Sequence, residues 1–465
     1  MTSEQQNFRQ FGIRDKIGYL LGDLGNDFTF ILSSSFLLKF YTDVMNVPAA
    51  VVGIIMMIAR FVDAFTDVAM GRICDKRKAT KGGKFKPWIL RMCGPVALSS
   101  FLIYQSSLKD TSLNFKIIWL AITYILWGSF FYTSINIPYG SMASAISREP
   151  DDRQSLSTFR TMGSTLAGVI IGAGIPLFAY KNVDGLTILS GGAFTFIAGL
   201  FSILAIISYI LCYFFTTERI VPPQHVKGDN LPIKKLLSNL LSNKALISII
   251  AASVLMLLAQ LTMQSMANYV YPNFYKNTAA QSVSTITMMG SMLVAAAIAK
   301  PLARKLGKAE LSAAANLLAG GISLLLFFIR QQNVWVYTAW NVISCLGLGI
   351  FAMVSWALIT DVIVYSEIKN GIREDGSIYA LYSFSRKLGQ AGAAGLSGGL
   401  LSLIGYSQEN AFSEPILNGI FNISTLIPAI GFIGLAFILW FWYPLKKRAV
   451  DNNVQILKQK HGSGF

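Results

Sequence analysis

Twelve apolar runs, each long enough to cross about 30 Å of hydrocarbon as a helix, recur along the chain and leave little room for any fold but a helical membrane bundle. They fall at about 17 to 41, 48 to 70, 87 to 106, 114 to 146, 156 to 180, 188 to 215, 245 to 273, 282 to 299, 309 to 329, 334 to 362, 379 to 406 and 417 to 444. In lipid every backbone amide must be satisfied within its own segment, so such runs are read as helices. With 53% hydrophobic and 13% charged residues, the chain also lacks the polar surface of an ordinary soluble domain. The expected fold class is therefore an all-α integral membrane protein of twelve transmembrane helices. A Pro-containing basic interval after the sixth helix divides the chain into an N-terminal six-helix half (1–216), a cytoplasmic linker (217–244), a C-terminal half (245–445) and a tail (446–465). Within the linker, LPIKKLLSNLL is expected to form a short amphipathic helix.

Charge placement sets the expected orientation. The net charge is +16, yet on the twelve-helix count only Lys39, Lys109, Lys116, Lys181, Lys276 and Arg330 fall on or beside the odd-numbered connections. The positive-inside bias then puts both termini in the cytoplasm of a multi-pass cell-membrane protein. Topology and anionic lipid account for the basic loops without nucleic acid. Cys74, Cys93, Cys212 and Cys345 show no CxxC spacing, and the two histidines, His225 and His461, lie in the linker and the tail. A disulfide framework, a histidine proton relay and a histidine-ligated metal are thereby excluded. The first sixteen residues are polar and no small-residue cleavage site follows, so helix one is expected to act as an uncleaved signal.

The polar residues inside the runs carry the functional information. RFVDAFTDVAMGR places Arg60, Asp63 and Asp67 on one face of helix two, at spacings of three and four. Each buried carboxylate costs roughly 3 kcal/mol at mid-bilayer, so a pair implies a purpose. The following stretch to Arg91 holds eight basic residues from Arg72 onward. Helix one repeats the spacing with Asp23 and Asp27. Asp23 has two readings, a functional acid or a charge near the cytoplasmic end paired with a loop lysine. Helix four brings Tyr132, Thr133 and Asn136 together just before Pro138, whose missing N–H loosens the preceding turn. Arg160 at the start of helix five either snorkels to the interface or reaches into the bundle.

In the second half, Lys300, Arg304, Lys305 and Lys308 echo the basic loop of the first, as expected of a duplicated six-helix unit with a substrate site between its halves. Gln260, Gln264 and Asn268 form an uncharged polar stripe on helix seven. Asp361, Glu367, Lys369, Arg373, Glu374 and Asp375 make a mixed-charge cytoplasmic patch. Arg386 and Lys387 stand inside helix eleven, where a buried cation calls for an acidic partner.

No nucleotide-binding loop, nucleophile triad or metal spacing occurs, so neither an ATP-driven pump nor an enzyme is expected. The remaining chemistry is cation coupling. Paired aspartates either share a proton or, with Thr133, replace the hydration shell of Na+.

RFVDAFTDVAMG, GKFKPW, NIPYGS and YSFSRKLGQ, occurring in that order, resemble the glycoside-pentoside-hexuronide:cation symporters of the major facilitator superfamily, the family of melibiose permease. The likeness covers about residues 12 to 445. It implies that Asp63 and Asp67 hold the coupling cation together with Thr133, and that they act as metal ligands if that cation is Na+. It implies that Asp27, Arg160 and Lys387 take part in sugar binding, and Asn26, Tyr132, Asn136 and Tyr382 complete the expected substrate set. Arg60, Asp361, Glu367 and Arg373 are expected to gate. Asn136 stands where melibiose permease has aspartate and Gly140 where it has tryptophan, which counts against a galactoside. NIPYGS and RKLGQ are more similar to the glucuronide and xyloside branches. The retained Asp27 favours a neutral xyloside-type glycoside, while the lost acid at Asn136 suits a hexuronide. The expected protein is a monomeric sugar importer coupled to H+ or Na+, without cofactor. A sugar sensor and a carrier of a non-sugar solute on the same fold are the alternatives.

Overall fold

The computed structural model describes residues 9–80, 82–220, 243–370 and 375–461, and these form two compact units, Met1–Gly228 and Asp229–Phe465. The first holds α1 (Ile13–Asp43), α2 (Ala49–Lys76), α3 (Lys86–Ile103), α4 (Leu113–Ile146), α5 (Pro150–Phe178) and α6 (Gly191–Phe215). The second holds α7 (Lys244–Phe274), α8 (Thr278–Leu306), α9 (Lys308–Ile329), α10 (Val334–Asn370), α11 (Asp375–Leu403), α12 (Glu414–Trp442) and α13 (Lys447–His461). Each of the twelve apolar runs is one long helix. Ten of them are long and apolar enough to cross a membrane by length and composition; α1 and α11, which carry the buried-charge motifs, fall short of that measure. Large apolar side chains such as Phe65 and Val68 point outward, while Asp23, Asn26 and Thr133 are buried, the arrangement a lipid solvent demands.

In the first unit α1 packs chiefly on α5 and α6, α3 on α6, and α2 on α4. In the second, α7 packs on α11 and α12, α9 on α12, and α8 on α10, so the same pairings recur one half-chain later. Close approach of α1 and α5 depends on Gly163, where a Cβ would meet the Leu20 carbonyl oxygen at 2.5 Å. That contact sets Asp23 and Arg160 side by side.

Three features depart from the sequence reading. α4 is a π-helix over Leu126–Tyr132, just ahead of Pro138, a wider turn than the simple loosening expected. α7 and α12 end in π-turns too, at Val270–Phe274 and Ile438–Trp442. Between α5 and α6 a two-stranded hairpin, β1 (Tyr180–Val183) with β2 (Leu186–Leu189), turns through Asp184 and Gly185, both at positive φ. The tail read as 446–465 contains a thirteenth helix, α13.

Two residues at the start of the expected linker are tied to the first unit. Glu218 is bonded to the start of α3, accepting from the N–H groups of Lys84 (2.6 Å), Phe85 (2.9 Å) and Lys86 (2.6 Å). Arg219 pairs with the fully buried Asp15 at 2.9 Å. The amphipathic helix read in LPIKKLLSNLL, and His225, lie outside the described residues. The second basic cluster is not a loop: Lys300, Arg304 and Lys305 belong to α8, and only Gly307, at φ 99°, separates it from α9.

Candidate functional site

The acids of α2 face the π-turn of α4. Asp63 Oδ1 accepts from Ser129 Oγ at 2.5 Å and Oδ2 from Arg60 Nη1 at 3.1 Å, with both charged side chains only slightly exposed. One helical turn on, Asp67 Oδ1 accepts from Thr133 Oγ1 at 2.8 Å. A π-helix adds a residue to the turn and re-aims the side chains beyond it. Here Ser129 and Thr133 each meet one acid. The result is an all-oxygen cluster from two helices, a donor set suited to a proton or a hard cation. Arg60, expected among the gating charges, instead pairs with Asp63 at the side of these oxygens.

Beside it α1 and α5 form a second group. Arg160 Nε donates to Asp23 Oδ1 at 3.0 Å, and its guanidinium lies 5.4 Å from the Tyr139 ring centroid. Tyr139 stacks on Tyr19 at 4.6 Å and donates to the Tyr19 carbonyl at 2.6 Å, which fixes the platform under Arg160. Asp23 is therefore no loop-paired charge: it is buried and its partner lies on α5. Arg160 stays 42% exposed, anchored at Nε, so it reaches into the bundle and does not snorkel away. Asp27 is half-buried.

Phe30 of α1 packs against the first group. Its ring lies 4.9 Å from the Arg60 guanidinium and 5.5 Å from the Tyr132 ring. Asn136 is half-buried and forms no hydrogen bond among the described residues. Asn26, expected with Asp27, turns the other way, accepting from Tyr209 of α6 at 2.9 Å.

In the second unit Tyr382 is buried, accepts from Ser253 at 2.9 Å and meets Trp356 edge-on at 5.0 Å. Lys387 and Glu367 are half-buried on α11 and α10. Asp361 takes Lys308 Nζ on both oxygens, at 2.6 and 2.7 Å, on the wall of a 250 Å³ cavity also bounded by Arg304, Lys447 and Asp451. Arg373 lies outside the described residues. Sequence reasoning missed Ser129. Ser129 had a signal, being four residues before Thr133, but serine is common in membrane helices as an internal backbone-bonding residue and does not stand out.

Fold and side-chain inventory define a multi-pass helical membrane protein built of two units with the same helix pairings. The description MFS/sugar transport protein matches residues 18–447. The chain is 31% identical to an uncharacterized symporter of Bacillus subtilis, with 97% of this chain and 96% of that protein covered. It is 30% identical to the glucuronide carrier protein homolog of Escherichia coli (97% and 98% covered) and to the isoprimeverose transporter of Lactiplantibacillus pentosus (96% and 91%). Among solved structures, a bacterial homolog of the lysosomal transporter Spinster aligns with TM-score 0.65 at 10% identity over 95% of this chain and 97% of its own. A D-xylose-proton symporter aligns with TM-score 0.60 at 14% identity over 93% and 98%. The chain belongs to the MFS/sugar transport proteins, in the glycoside-pentoside-hexuronide:cation symporter family.

Proposed function

We propose that this protein imports a sugar glycoside across the cell membrane by symport with H+ or Na+, as a monomer with both termini in the cytoplasm. The observation that carries the reading is the Asp63–Ser129 and Asp67–Thr133 pairing between α2 and α4. A cation neutralises acids that are otherwise expensive to hold inside a bilayer. Arg160, fixed by Asp23 and Tyr139, together with Asp27, is the polar group that takes the sugar. Phe30, touching Arg60 on one side and Tyr132 on the other, gives the two sites a shared packing element. Occupancy of one then biases the other through a coupling free energy that is reciprocal. Lys308–Asp361 is a cytoplasmic-side ion pair of the kind an alternating-access carrier breaks and re-forms.

A neutral xyloside-type glycoside is the first choice, because Asp23 and Asp27 together outnumber Arg160. A hexuronide is the second reading, favoured by Asp23 holding Arg160 at Nε, which leaves the terminal nitrogens for a carboxylate. Proteoliposomes offered labelled xylosides and hexuronides under an imposed pH or Na+ gradient test both. Accumulation against a gradient under one ion supports symport and names the ion. Binding without flux would instead make the protein a sensor, and no accumulation of any sugar overturns the proposal.

A further inference from the structure

The 250 Å³ cavity of the second unit has more to offer than the ion pair on its wall uses. Three cations line it: Arg304 at the end of α8, Lys308 at the start of α9 and Lys447 at the start of α13. Two acids, Asp361 and Asp451, and the apolar Leu445 and Val450 share the wall. Lys308 Nζ gives two of its three N–H groups to Asp361, at 2.6 and 2.7 Å, and Lys447 Nζ gives one to the Lys305 carbonyl at 2.7 Å. Arg304 is exposed, and its five N–H groups meet no acceptor among the described residues. Glu310, beside Gly307, is taken up by the backbone N–H of Lys447 at 2.8 Å. The wall thus holds a surplus of cationic donors, and a guanidinium fork with two ammonium groups suits a compact anion with several oxygens.

Depth in the membrane narrows the choice of anion. α12 ends in Trp440, Phe441 and Trp442, all exposed, and aromatic side chains gather at the membrane–water interface. Leu445 and Lys447 of the cavity wall follow three and five residues after Trp442, which puts the cavity at headgroup level. We infer that the cavity between α8, α9, α10 and α13 binds a phosphate-class anion, either the phosphoester of an acidic phospholipid headgroup or a free phosphate compound. Arg304 is its main ligand, and Lys308 and Lys447 complete the cradle. Basic pockets between membrane helices on the cytoplasmic side suit acidic headgroups, and Leu445 and Val450 supply the apolar side that the glycerol of a lipid would touch. Lys308 serves both the anion and Asp361, so occupancy of the cavity bears on the Lys308–Asp361 pair. No residue of the α2–α4 oxygen cluster or of the Arg160 group takes part.

The site goes beyond sugar transport, and its test reads binding alone, so it stands or falls apart from the symport reading. Full-length protein in a neutral detergent is titrated with inorganic phosphate against chloride at equal ionic strength, and separately with phosphatidylglycerol against phosphatidylcholine. The thermal unfolding midpoint is the readout, since a ligand of the folded state raises it. A saturable rise with phosphate, with phosphatidylglycerol or with both is expected, and the arm that gives it names the source. Arg304→Gln should weaken the apparent affinity by about tenfold or more, with the midpoint unchanged when no anion is added. Lys447→Gln should act in the same direction. Lys305→Gln, exposed and off the cavity wall, should leave the affinity as it is. No rise in either arm overturns the site, as does an equal loss in Arg304→Gln and Lys305→Gln, which would reduce the effect to diffuse surface charge.

Discussion

Arg160 Nε and Asp23 Oδ1 meet at 3.0 Å across the α1–α5 contact, with the acid buried and the guanidinium 42% exposed. The pair therefore orients Arg160 while leaving its outer nitrogens accessible. Neutralising the acid with Asp23→Asn should weaken substrate binding by about tenfold, since a charge-assisted hydrogen bond contributes roughly 1.5 to 3 kcal/mol. The rise should appear in KM of uptake more than in its maximal rate. Arg160→Lys should not restore it, because a lysine cannot hold Asp23 and point a fork elsewhere.

Asp63→Asn should abolish gradient-driven accumulation and preserve exchange of internal for external sugar at equal concentrations. Exchange needs the sugar site and the conformational cycle but no net cation movement. Comparison of uphill uptake with counterflow checks this, and equal loss of both would return Asp63 to a structural role.

Thr133→Val should reduce cation-dependent stimulation, whereas Thr133→Ser should retain most of it, because only the hydroxyl reaches Asp67 at 2.8 Å. The expected loss is about tenfold in apparent cation affinity for one hydrogen bond to a charged group. A titration of uptake against H+ or Na+ reads it directly.

Lys308→Ala and Asp361→Asn should each slow transport by leaving one member of a partly buried ion pair without its counter-charge. The exchange Lys308→Asp with Asp361→Lys should recover part of the rate. Uptake rates of Lys308→Ala, Asp361→Asn and the variant combining those two form a cycle, and additive losses would mean that the pair has no coupled role.

Glu218→Gln should lower stability by about 2 kcal/mol, because one carboxylate satisfies three N–H groups at the start of α3. Thermal unfolding in detergent measures it. Had residues 217–220 been loose linker, the midpoint would not move.

The twelve apolar runs, the duplication and the acids of helix two were legible in the sequence because a bilayer admits only satisfied helices and makes each buried charge conspicuous. Asp63, Asp67 and Thr133 could be named as a set from spacing and resemblance. Ser129 was not, because a serine four residues before Thr133 does not stand out among the backbone-bonding serines of membrane helices. Nor could the direction of Asn26, which neighbours Asp27 in sequence yet faces Tyr209, because adjacent helical residues point about 100° apart. The sequence by itself determined where the twelve long apolar helices form, which carry charge and that Pro138 disturbs the turn before it. Only tertiary structure decided that Arg160 belongs to Asp23, and that the π-turn brings Ser129 and Thr133 to separate acids. Those pairings depend on helix rotation and on how closely glycine-bearing faces approach, which periodicity along one chain does not encode.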